Sequence, residues 1–220
     1  KIDSVRVNLP PPLSYTKNVS DYNGYGISCY GLSTGFIRIY PTTGTPPYDY
    51  IWTGPDGYSA TTKDISGLKT GIYTLTITDK SFCTATEIFD MNEPGSLGMA
   101  ISLSASTAGG FNINCAGTNT GSIDIEPVNY VETVNYLWSD GIFGKTRTSL
   151  FAGDYSVIIT DANNCHADTT VTLAEPDSIK LAFQITPPFC TDIPEGQIIL
   201  NVTGGVPGTD YFYLWSDNST

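Results

Sequence analysis

Gly153-Asp154-Tyr155-Ser156-Val157-Ile158-Ile159-Thr160-Asp161, running into Cys165, has a near copy 82 residues earlier. That copy is Gly71-Ile72-Tyr73-Thr74-Leu75-Thr76-Ile77-Thr78-Asp79, running into Cys83. Each is a glycine turn, a strand of alternating or β-branched residues, and a Thr-Asp stop before a cysteine. A strand repeated with its turns at a fixed period predicts a repeated supersecondary unit, and so a tandem array.

Extending the register outward yields a longer unit. Cys29, Cys115 and Cys190 are each followed by a few turn residues. Then come Gly35-Phe36-Ile37-Arg38-Ile39, Gly121-Ser122-Ile123-Asp124-Ile125 and Gly196-Gln197-Ile198-Ile199-Leu200, which by alternation or β-branching are strands. An aromatic strand ending in Trp52, Trp138 or Trp215 follows, 23, 23 and 25 residues after the respective cysteine. Turn signals come next in Thr53-Gly54-Pro55-Asp56-Gly57 and Ser139-Asp140-Gly141. Short strands are expected at Thr61–Ile65 and Lys145–Ser149, ahead of the glycine-tyrosine strands. Final strands, Thr84–Phe89 and Ala167–Leu173, close at Glu93-Pro94 and Glu175-Pro176.

This register predicts the tail of a preceding copy at 1–12, whole copies at 13–96 and 97–178, and the first half of a further copy at 179–220. The class expected is all-β, with tandem Ig-like β-sandwich domains arranged end to end through short proline linkers. Strand-facing apolar residues predict the first core: Ile37, Ile39, Ile51, Trp52, Leu68, Tyr73, Leu75 and Ile77. The second is Ile123, Ile125, Leu137, Trp138, Leu150, Tyr155, Val157 and Ile159. Neither helical periodicity over three turns nor an 18-residue apolar run occurs, so a helical membrane span is not expected.

With 10 basic and 22 acidic residues, the formal charge of −12 would repel nucleic acid and anionic membranes. No P-loop or G-x-S-x-G motif occurs. The single histidine, His166, leaves Ser-His-Asp and Cys-His schemes without support, so no enzyme activity, catalytic residue or cofactor is expected. Asp79 and Asp161 recur at one position, where a Ca2+ site is conceivable and turn capping is the plainer reading. Tyr22, Tyr25 and Tyr30 crowd the first cysteine loop and are candidate ligand contacts through stacking on sugar rings; as strand-formers they need no ligand.

The five cysteines predict two bridges within repeats. If the strands alternate in direction, the turn before the second strand and the turn after the glycine-tyrosine strand lie at one end. Cys29 then pairs with Cys83 and Cys115 with Cys165, leaving Cys190 with a partner beyond residue 220. A metal site is disfavoured because no C-x2-C pair accompanies the lone histidine.

The ordered series Cys29-Tyr30-Gly31, Gly35-Phe36-Ile37, Tyr50-Ile51-Trp52, Ile65-Ser66-Gly67-Leu68 and Gly71-Ile72-Tyr73, closing on Ile77-Thr78-Asp79 and Cys83, resembles the SprB-type repeat. A more diverged copy runs from Cys115 to Cys165, with Leu150-Phe151-Ala152-Gly153 in place of the Ser-Gly-Leu of the first. The repeat is found many times over in gliding-motility adhesins and related surface proteins of Bacteroidota. The resemblance implies type IX secretion and a long cell-surface filament that grips an external surface or polysaccharide and is driven by gliding machinery. Neighbouring repeats of the same chain are the immediate partners expected, and the lack of a long apolar run leaves no membrane insertion expected. A glycan-binding module, or ancillary β-domains of a secreted enzyme, are the alternatives. Asp3-Ser4-Val5, Asp168-Thr169-Thr170 and Asp177-Ser178-Ile179 also resemble the O-glycosylation signal of that phylum.

Overall fold

In the computed structural model, the described residues are 12–107, 109–189, 196–208 and 210–217. They form fifteen strands and one 3-10 turn, Pro55–Gly57. The first repeat supplies β1 (Tyr15–Val19), β2 (Gly35–Pro41), β3 (Tyr48–Thr53), β4 (Ser59–Ala60), β5 (Ile65–Leu68), β6 (Gly71–Asp79) and β7 (Thr84–Met91). The second supplies β8 (Gly98–Leu103), β9 (Gly121–Val128), β10 (Val134–Trp138), β11 (Thr146–Leu150), β12 (Gly153–Asp161) and β13 (His166–Leu173). The last two are β14 (Asp177–Thr186) and β15 (Gln197–Gly205). The expected tail at 1–12 lies outside the described residues except for Pro12, and Cys190 lies outside them as well.

The described residues divide into two compact units. Those up to Gly98, with Pro127–Asn135 and Ile159–Ala167, form the first. Met99–Glu126, Tyr136–Ile158 and those from Asp168 onward form the second. This division differs from the repeat boundaries, because two turns of the second repeat belong to the first unit.

In the first unit, sheets β1-β2-β5 and β4-β3-β6-β7 enclose one core. The core takes Ile37 and Ile39 from β2, Ile65 and Leu68 from β5, Trp52 from β3, Tyr73, Leu75 and Ile77 from β6, and Phe89 and Met91 from β7. Alternate residues face inward because successive side chains of a strand point to opposite faces. Ile51 is accordingly 56% exposed beside the buried Trp52, which removes it from the expected core. Leu137, at 43% exposure beside the buried Trp138, is corrected for the same reason, and Tyr155 is only half-buried.

The polar groups that burial would strand are paired. The Trp52 indole N–H donates to the carbonyl of Thr62 at 2.9 Å. The Tyr73 hydroxyl reaches back to the carbonyl of Lys69 at 3.2 Å, tying the β5–β6 corner. Tyr15 on β1 donates to Glu87 on β7 at 2.7 Å, and Lys17 bonds the same carboxylate, joining the edges of the two sheets. Burial works against the Glu87 charge, but these hydrogen bonds outweigh it and hold the carboxyl below its usual range.

Gly35 opens β2 because nothing larger fits. A Cβ there would lie 2.7 Å from Ile27 Cδ1 and 2.9 Å from Met91 Cε. Gly121 of the second unit is equally enclosed, 2.6 Å from Ile113 Cδ1 and 2.8 Å from Leu173 Cδ1.

The sheet orders β11-β9-β8 and β10-β12-β13 repeat those of β5-β2-β1 and β3-β6-β7. In the second unit, the Trp138 indole donates to the Gly144 carbonyl at 2.9 Å, as Trp52 does in the first. Strands β14 and β15 pair as an antiparallel hairpin whose apolar side chains, among them Leu181, Phe183 and Ile185, stay exposed.

Candidate functional site

The chemistry of this chain gathers at its cysteine turns. Cys83 and Cys165 each close a turn built on a buried aspartate. Asp79 Oδ1 accepts the backbone N–H of Ser81 at 2.8 Å and of Cys83 at 2.9 Å, while its Oδ2 accepts that of Thr45 at 2.9 Å. Asp161 repeats the arrangement: Oδ1 takes the N–H of Asn163 at 2.9 Å and of Cys165 at 3.0 Å, and Oδ2 that of Val131 at 3.2 Å. Phe82 and Asn164 both take φ of 62°, the left-handed bend that returns the chain to the cysteine. The Thr45 N–H does most to hold the Asp79 carboxyl below its usual range; burial opposes it, and the Cys83 and Ser81 amides add to it. Both carboxylates thus spend their lone pairs on backbone amides. Among the described residues no three His, Cys, Asp or Glu side chains converge as a metal-binding group.

Cys29 and Cys115 each sit on a loop held by the far end of the same repeat. Ile27 N–H donates to the Asn92 carbonyl at 3.0 Å, Gly31 N–H to Glu93 at 2.7 Å, and Ser28 N–H to Thr34 Oγ1 at 2.8 Å. The Cys115 loop matches bond for bond: Ile113 to the Ala174 carbonyl at 3.1 Å, Gly117 to Glu175 at 2.7 Å, and Asn114 to Thr120 Oγ1 at 3.0 Å.

Cys29 is disulfide-bonded to Cys165, with 5.6 Å between their Cα atoms, and Cys83 and Cys115 are free thiols. The expected pairs Cys29–Cys83 and Cys115–Cys165 are therefore corrected. The reason is strand parity. A single strand was expected at Thr61–Ile65, where the chain makes two, β4 and β5. The additional strand reverses β6, so the turn after it falls at the other end of the sandwich. Cys29's loop is bonded to the residues just past β7, whereas Cys83 precedes β7. Eight residues at about 3.3 Å each hold them roughly 25 Å apart, far beyond the ~7 Å Cα limit of a disulfide.

Hydrogen bonds surround the bridge that does form, all within the first unit. Asn163 Nδ2 donates to the carbonyls of Ser28 at 3.0 Å and Tyr22 at 3.1 Å, and its Oδ1 accepts from Asn23 Nδ2 at 2.7 Å. The sequence marked the two cysteines but gave no sign of Asn163. Its only signal is its place inside the Asp-x-x-x-Cys turn.

The three candidate tyrosines share this loop. Tyr22 and Tyr25 form a β-bridge and are half-buried, and the Tyr22 hydroxyl donates to the Thr34 carbonyl at 3.2 Å. Tyr30 alone leaves most of its surface open, at 60%. His166 lies exposed at the start of β13.

Repeated antiparallel sandwich strands, each set carrying one loop cysteine and one turn cysteine, define a β-repeat protein with a cross-repeat disulfide. The SprB repeat family matches residues 27–57, 112–143 and 182–220. The chain is a SprB-type repeat region, a segment of the kind that builds cell-surface, adhesin-like proteins. No curated protein matches it.

Proposed function

We propose that this chain is a repeat segment of a long cell-surface adhesin filament, giving reach and stiffness for surface attachment and gliding motility. The observation that carries this reading is the SprB repeat at three places, with the same cysteine frames rebuilt in successive copies. The strand order and the Tyr73 tie at the β5–β6 corner support an immunoglobulin-like form for each repeat. A repeated module suits a stalk, because length grows by copying without new packing problems. In this reading the segment is non-catalytic, and its partners are neighbouring repeats, the type IX secretion and gliding machinery, and an external surface or polysaccharide.

A second reading, in which the repeat itself holds glycan, draws on the exposed ring of Tyr30. Cells displaying the surface protein with Tyr22, Tyr25 and Tyr30 changed to alanine distinguish the two. The stalk reading expects unchanged attachment, and loss of attachment and gliding only when the repeats are deleted. Loss with the tyrosine changes alone, at unchanged surface display, would overturn it in favour of glycan binding.

A further inference from the structure

We propose that the cysteines of this array form a ladder between repeats, in which the loop cysteine of each repeat bonds to the turn cysteine of the repeat that follows. Cys29–Cys165 is one rung. The proposal rests on the repeat register and stands whether or not the filament is adhesive.

The second unit carries the vacant half of the next rung. Cys115 is an exposed free thiol on a loop that matches the Cys29 loop bond for bond. It opens on a cleft of about 550 Å3 lined by Asn114, Ala116, Ile179, Val206 and Tyr211 among others. At Cys29 the equivalent place is filled by the turn Asp161–Cys165, whose Asn163 bonds the carbonyl of the residue before the cysteine. The occupant that fits the Cys115 cleft is therefore an Asp-x-x-x-Cys turn from a following repeat. Cys83 is such a turn cysteine, held in the frame of Cys165, and the ladder pairs it with the loop cysteine of a preceding repeat. Bridges inside a repeat are barred by the length of β7 and, by the same frame, of β13.

A rung closes by thiol–disulfide exchange. The Cys115 thiolate attacks the disulfide that the turn cysteine shares with glutathione. The new S–S bond forms, the S–S bond to glutathione breaks, and glutathione leaves as a thiolate that takes up a proton. From two free thiols the sum is one glutathione disulfide reduced to two glutathiones.

The test duplicates residues 97–178 in place, so that the full chain gains one repeat and two cysteines. After refolding in glutathione disulfide, alkylation and peptide mapping should show Cys29–Cys165 and a link from the first-copy Cys115 to the second-copy Cys165. Three thiols should remain: Cys83, the second-copy Cys115 and Cys190. Bridges within each repeat, leaving Cys190 alone free, would overturn the ladder. A second measurement on the unaltered chain covers misfolding of the longer one. A peptide of residues 159–167, supplied as its mixed disulfide with glutathione, should attach to Cys115 roughly tenfold faster than a scrambled peptide, a gain that one or two hydrogen bonds supply. At Cys83 the two peptides should react alike. Equal rates at Cys115 would overturn the proposal.

Discussion

Asn163 donates its side-chain amide to the backbone carbonyl of Ser28 at 3.0 Å, across 135 residues of sequence. Together with its bonds to Tyr22 and Asn23, this contact fixes the turn that presents Cys165 to Cys29. Each neutral hydrogen bond contributes about 1 kcal/mol net. Asn163→Ala, which removes all three, should therefore cost about 3 kcal/mol in denaturant unfolding of the oxidised chain and speed reduction of the bridge by dithiothreitol. Asn163→Asp, which removes both donors, should behave like the alanine variant. Unchanged reduction rates would show that the disulfide forms without help from Asn163.

Gly35 and Gly121 predict a matched pair of packing defects. A methyl at Gly35 meets Ile27, Met91 and Leu68, and one at Gly121 meets Ile113, Leu173 and the Leu150 carbonyl. Overpacking of this kind costs about 1–3 kcal/mol. Gly35→Ala and Gly121→Ala should each lower stability by that amount in guanidinium melts. Gly98→Ala, with open space around it, should change little.

Ile51 and Trp52 test the alternation of β3. Trp52 is fully buried with its indole N–H bonded to Thr62, and truncating such a residue costs about 3–5 kcal/mol. Trp52→Ala should thus unfold or severely destabilise the first unit. Ile51→Thr, on the solvent face, should stay within about 0.5 kcal/mol of the parent. Circular dichroism melts of the two variants check both.

Asp79 sets an acid dependence. Its carboxyl titrates below the ordinary aspartate value because the folded chain gives it three backbone N–H donors. The unfolded chain therefore binds a proton first as pH falls. The stabilisation is fully present above roughly pH 5 and is lost as pH drops through about 4 and below. Asp79→Asn should lower the denaturant midpoint at pH 7, and the difference from the parent should shrink on approaching pH 3. A gap independent of pH would assign the loss to shape instead of charge.

Much of the fold was legible in the sequence because its signals are local. The Gly-x-Tyr strand, the tryptophan at a near-constant distance from the loop cysteine, and the alternation along β2 and β9 each follow from side-chain periodicity. The misplaced core residues, Ile51 and Leu137, were adjacent to tryptophan, and a strand cannot bury two neighbours on one face. The disulfide pairing was not legible, because it depends on a count of strands. β4 is two residues long, Ser59–Ala60, too short to leave a periodic signal, yet it decides which end of the sandwich receives Cys83. Asn163 was equally hidden: its partners are backbone carbonyls, which no pattern of side chains reveals.

Cys29–Cys165 is a bridge between repeats. A bond closing 136 residues contributes about 5 kcal/mol in the chain-entropy model, and it joins two repeats instead of stiffening one. The direct measurement is non-reducing peptide mapping of the chain after oxidative refolding and alkylation of free thiols. The structure predicts one linked peptide containing Cys29 and Cys165, with Cys83 and Cys115 alkylated. Linked peptides joining Cys29 to Cys83 and Cys115 to Cys165 would contradict it.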